Sequence, residues 1–67
     1  MFKTTWKELS ENELAEVLNN QSFGDDIYRI ANNEEKTITE ATDSFIERNP
    51  SYEQILNKAV KIIFGQS

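Results

Sequence analysis

Apolar residues recur along this chain at three- and four-residue spacings, and no segment alternates as a half-buried strand does. The first segment is short. Thr5-Trp6-Lys7-Glu8 fits a capping box that supports about one turn, ending near Leu9, with Trp6 as a core plug and Phe2 packing beside it. A second capping box, Ser10-Glu11-Asn12-Glu13, opens a helix whose Leu14, Val17 and Leu18 form one stripe, and Asn19-Asn20 ends it. The third segment runs from Ser22, as N-cap, to about Asn32, with Phe23, Ile27, Ile30 and Ala31 on one face. Asp25 and Asp26 stand in its first turn, where the helix dipole favours anions, and Gly24 marks a close approach to the second helix.

After a polar connection over 34–38, Thr37 or Thr39 caps a fourth helix ending at Arg48. Ile38, Ala41, Phe45 and Ile46 share its inner face, and Glu40, Asp43, Glu47 and Arg48 its outer one. Asn49-Pro50 stops it, because the residue before proline avoids helical geometry. Ser51 and Gln54 suggest a third capping box, and Tyr52, Ile55, Leu56, Ala59, Ile62 and Ile63 then form a broad stripe closed by Gly65. Val60 lies at the edge of that stripe and Phe64 beyond it. Either the helix is the centre of the bundle, or Val60 and Phe64 reach a partner or a second copy. The pattern thus predicts an all-α fold, a compact bundle of four to five short helices in one domain over 1–67. It includes a helix-turn-helix-like pair at 9–33 and C-terminal helices at 39–48 and 52–64.

Composition narrows the chemistry. With no Cys and no His, neither a disulfide nor a thiolate or imidazole metal site is expected, and the usual general base near neutral pH is missing. The Ser and Thr residues are better explained as caps than as nucleophiles. No Gly-rich phosphate loop and no EF-hand spacing occur. The expectation is a protein that is not an enzyme and carries no cofactor or metal. No apolar run approaches the roughly 18 residues of a membrane span, and the start, MFKTTWKEL, lacks a hydrophobic signal core, so a cytoplasmic location is expected.

Charge changes the picture most. The net charge is −5 and unevenly spread. Residues 8–35 hold Glu8, Glu11, Glu13, Glu16, Asp25, Asp26, Glu34 and Glu35 against Arg29 alone, whereas acids and bases balance over 36–67. A solvated acidic face is the plain reading of such a segment; a surface for a basic partner is the functional one.

The stretch Leu9-Ser10-Glu11-Asn12-Glu13-Leu14-Ala15-Glu16-Val17-Leu18, followed by Gln21 to Asn33, resembles the helix-turn-helix of small phage Cro/C1-type regulators, with Ile27 or Ile30 as the buried anchor of the second helix. It departs from that pattern in its turn, one or two residues long between Leu18 and Ile27. It departs again in its reading positions, Gly24-Asp25-Asp26-Tyr28-Arg29, where base recognition calls for Gln, Asn, Arg or Lys. DNA affinity comes mainly from basic groups neutralising phosphates, and this segment would be repelled by a duplex.

Size, helical pattern and charge together resemble the small antirepressors of temperate phages, including the modulator-of-repression proteins of lactococcal phages. The resemblance implies a regulator that binds a basic DNA-binding protein of repressor type and blocks its DNA contacts. Glu11, Glu16, Asp25, Asp26, Tyr28 and Arg29 would form the partner surface, with the aspartates meeting Arg or Lys and Tyr28 as aromatic anchor. Two other readings stand beside it. One is a Cro-like DNA-binding regulator, dimeric through the last helix, reading DNA with Gln21, Ser22, Tyr28, Arg29 and Asn33. The other is an inhibitor of a nucleic-acid enzyme, its acids standing in for phosphates.

Overall fold

Side-chain caps set where some of these short helices begin. In the computed structural model, which describes residues 3–65, a 3-10 turn (Trp6–Glu8) leads into α1 (Glu11–Leu18), α2 (Gly24–Asn33), α3 (Ile38–Arg48) and α4 (Ser51–Phe64). The described residues contain no strand, and the architecture is the expected all-α bundle. The place expected for Phe2 lies outside the described residues. At the start of α1, the Glu13 N–H donates to Ser10 Oγ at 3.2 Å and the Ser10 N–H donates to Glu13 Oε1 at 2.9 Å. The same reciprocal pair joins Thr37 and Glu40 at 3.1 and 3.0 Å, so Thr37 rather than Thr39 caps α3. Glu8 accepts from the N–H groups of Thr4 and Thr5 at 2.8 and 2.9 Å and holds the 3-10 turn.

Two expected caps do not form. Phe23, not Ser22, occupies the N-cap position of α2, with helical backbone angles (φ −83°, ψ −1°). Its ring is buried, and that places Ser22 one residue too early to reach the first turn. At α4, Pro50 already has helical angles (φ −58°, ψ −28°), which moves Ser51 inside the helix and dissolves the Ser51–Gln54 box. The connection between α1 and α2 is also longer than expected, since residues 19–23 separate the two helices.

Helix ends are closed without left-handed asparagine. Asn19 stays right-handed (φ −63°), and the Asn20 side chain donates instead to the Glu16 carbonyl at 3.1 Å. After α2 the left-handed position falls on Glu35 (φ 53°), and the Lys36 N–H returns to the Ala31 carbonyl at 2.9 Å, the long bond of a Schellman turn.

The core gathers at the meeting of all four helices. Leu14, Val17, Ile27, Ala41, Leu56 and Val60 are fully buried. Phe23 stacks on Phe45 with centroids 5.8 Å apart, and Tyr52 meets both rings edge-on at 5.0 and 5.2 Å, linking the start of α2 to α3 and α4. Such aromatic pairs add about 0.5–1.5 kcal/mol each beyond their buried area. The buried Thr42 hydroxyl donates to the Ile38 carbonyl at 2.8 Å, so it enters the core satisfied. Gly24 marks the expected close approach: a Cβ there would stand 2.1 Å from the Leu18 carbonyl oxygen.

Trp6 is the core plug that the sequence predicts, 2% exposed. Its backbone N–H donates to Asn57 Oδ1 on α4 at 3.0 Å, and the Lys3 N–H approaches the Phe64 carbonyl at 3.5 Å. Residues 3–9 thereby cover the side of α4 that carries Asn57, Val60 and Phe64. Of the two readings of that helix, a central place in the bundle is the one that fits. Val60 is fully buried, so it offers no exposed surface to a second interface, and Phe64 packs partly against the core. The exposed apolar side chains of α4 are Ile55 and Ile62, both expected inside.

Candidate protein-binding surface

The six residues expected to meet a partner do not form one patch of equivalent groups. Glu11 stands at the start of α1 and turns toward α3. Its carboxylate accepts from the Ile38 N–H at 3.1 Å, the Thr39 N–H at 2.8 Å and the Thr39 hydroxyl. Amide donors at a helix N-terminus are the partners that a carboxylate prefers. Glu11 is therefore an N-terminal cap supplied from another helix, and these bonds, the Thr39 hydroxyl first, hold its pKa below the usual value.

Other acids of the segment are likewise engaged within the molecule. The Glu8 carboxyl is held low by the Thr4 and Thr5 N–H groups. Glu13 is held low by a 2.6 Å contact from Lys3 Nζ and by the Ser10 N–H. Glu34 is held low by Lys36, at 2.9 Å, with Arg48 at 3.9 Å adding to it. Capping and pairing thus explain much of the acidity of residues 8–35, a role visible in the sequence for Glu8 and Glu13 only.

Glu16, Asp25 and Asp26 differ. All three are exposed. Among the described residues Glu16 and Asp25 have no ion pair or side-chain hydrogen bond, and Asp26 meets only Arg29, 3.6 Å away across one helical turn between two well-exposed side chains. An exposed pair of this kind holds its partner weakly and exchanges readily for another. Tyr28 is half-buried. Its hydroxyl donates toward the Ala15 carbonyl oxygen and Asn19 Oδ1, each at 3.2 Å, which ties α2 back to the end of α1. Tyr28 is a brace between the two helices, and an anchor only through the ring edge left open.

Two depressions open on the described surface. One, of about 490 Å³, lies between the 3-10 turn and α3 and is lined by Trp6, Lys7, Lys36, Thr39, Glu40, Asp43 and Ser44. Lys36 Nζ there is already bound by Ser44 Oγ and Glu34, both at 2.9 Å, and the mixed charges do not converge on one point. The second, of about 300 Å³, is lined by Asn20, Gln21, Ala59, Ile62 and Ile63. No group of three or more acidic, His or Cys side chains among the described residues is arranged to hold a metal ion, and no helix is long and apolar enough to cross a membrane. Comparison with family models, curated proteins and solved structures finds no match to this chain.

Proposed function

We propose that this protein is a small acidic regulator that binds a basic, DNA-binding protein of repressor type and blocks its contacts with DNA. The observation that carries this reading is the state of Glu16, Asp25 and Asp26. They remain exposed and unneutralised, save by Arg29, whereas Glu8, Glu11, Glu13 and Glu34 are engaged within the molecule. Opposed charge of this kind speeds and orients the encounter of two proteins. Asp25 and Asp26 meet lysine or arginine of the partner, Glu16 extends the surface along α1, and Arg29 exchanges Asp26 for an acid of the partner or for solvent. Glu11 and most of Tyr28 serve the scaffold. Direct DNA reading fits less well, because two carboxylates stand in the first turn of α2 and the Tyr28 hydroxyl is bound within the molecule.

The test is competition. A C1-type repressor domain is bound to labelled operator DNA, and this protein is added at low and at moderate salt. The expected result is release of the DNA, weakening as salt rises because exposed charges are screened. Asp25→Lys with Asp26→Lys abolishes release while helicity by circular dichroism is retained. Release undiminished in the double variant overturns the proposed surface. Direct binding of the protein to the free duplex favours the Cro-like reading instead.

A further inference from the structure

Ile55 and Ile62 are the exposed large apolar residues of the described chain, 49% and 60% accessible, and both lie on α4. Seven residues apart, they fall on one line of the helix. Ala59 sits between them, and Ile62 forms one wall of the 300 Å³ groove whose far wall is Asn20 and Gln21. The exposed residues of α4 are Ser51, Gln54, Ile55, Lys58, Lys61 and Ile62. Among these exposed residues two are cations and none is an acid, with Lys58 beside the apolar line and Lys61 farther round the same side of the helix, on a protein whose net charge is −5.

We propose that this face of α4 docks an acidic amphipathic helix of a partner protein. The partner's apolar residues lie along Ile55 and Ile62 and enter the groove, and its carboxylates pair with Lys58 and Lys61. Charge selects this occupant over the others. Among the described residues a second copy offers no other exposed large apolar side chains than the same Ile55 and Ile62. Pairing them across a two-fold axis with Ile55 opposite Ile62 brings Lys58 against Lys58. An anionic membrane is attracted by clusters of roughly four to eight basic residues, and here two stand on an acidic protein. The proposal does not depend on the acidic surface of α1 and α2, which is a separate site.

The test uses two fluorescein-labelled synthetic helical peptides with the same leucine spacing. One is flanked by glutamates and one by lysines, and anisotropy is read at low salt with the full chain. The glutamate peptide is expected to saturate and the lysine peptide not to. Ile62→Glu should weaken the glutamate peptide by about tenfold or more. Lys58→Glu with Lys61→Glu should reverse the preference. Asp25→Lys with Asp26→Lys should not abolish the binding. All these positions are exposed, and circular dichroism verifies that the variants remain folded. No saturation, equal binding of both peptides, or indifference to Ile62→Glu overturns the proposal. A dimer in sedimentation equilibrium that Ile62→Glu dissociates assigns the face to a second copy, and co-sedimentation with phosphatidylserine vesicles assigns it to lipid; either result also overturns it.

Discussion

Glu35 follows α2 with a φ of 53°, a conformation in which an L side chain crowds its own backbone by about 1–2 kcal/mol. The turn needs that geometry so that the Lys36 N–H can reach the Ala31 carbonyl. Glycine adopts it without crowding but loses more chain entropy on folding. The expected balance for Glu35→Gly is a gain of about 1 kcal/mol, read as a higher urea midpoint with an unchanged slope. A lower midpoint would show that the turn draws its stability from the Glu35 side chain. At this scale the sequence is a good guide where a residue acts on its neighbours: Ser10 and Glu13 cap as their spacing foretells, and Thr37 is one of the two threonines it offers for α3. It is a poor guide where one residue acts across the fold. Glu11 and Thr39 are 28 positions apart, and no local pattern announces that one carboxylate closes the other's helix.

Helices α1 and α2 meet where Gly24 faces the Leu18 carbonyl. The 2.1 Å that would separate a Cβ from that oxygen is far inside contact distance, and the obstacle is backbone, which cannot rotate away. Gly24→Ala is expected to push α2 off α1 and to cost about 1–3 kcal/mol by chemical denaturation, with loss of the Tyr28 brace detectable as a change in tyrosine environment. A neutral effect would mean that the 19–23 connection yields easily. The buried faces of α1 and α3 were readable from spacing because each packs along one narrow stripe. The face of α4 was not. Its broad stripe allowed several rotations, and the one adopted depends on residues 3–9 covering the flank that holds Asn57, Val60 and Phe64. Ile55 and Ile62 are left outside by that choice. The acidic candidates divided for a related reason: composition counts carboxylates, whereas only packing shows that Glu11 caps a distant helix and that Glu34 pairs with Lys36.

At the scale of the whole molecule, four carboxylates are held toward the ionised form by the fold. Glu8, Glu11, Glu13 and Glu34 all have pKa values lowered in the fold by hydrogen bonds or cations. A lowered folded pKa contributes stability that is fully present above the ordinary glutamate value and is lost as pH falls through the depressed one. The urea midpoint is therefore expected to change little from neutral pH down to the ordinary carboxylate range and to fall below it. Relief of repulsion among exposed acids acts in the opposite sense, and moderate salt screens it. A midpoint that rises between pH 5 and pH 3 would show that repulsion outweighs the caps.

The bundle measures 37 × 23 × 17 Å, with a radius of gyration of 11.1 Å, close to the roughly 11 Å expected of a packed chain of this length. Its first and last described turns meet, since the Lys3 N–H faces the Phe64 carbonyl. The polypeptide thus enters and leaves the fold at one spot, like a loop of cord drawn through a single eyelet. Spliced into a surface loop of a host protein, this unit would ask the host to separate its own backbone by little more than the spacing of two paired strands. It would then stand on the host as a side module, with the acidic and basic faces carried on the same small bundle.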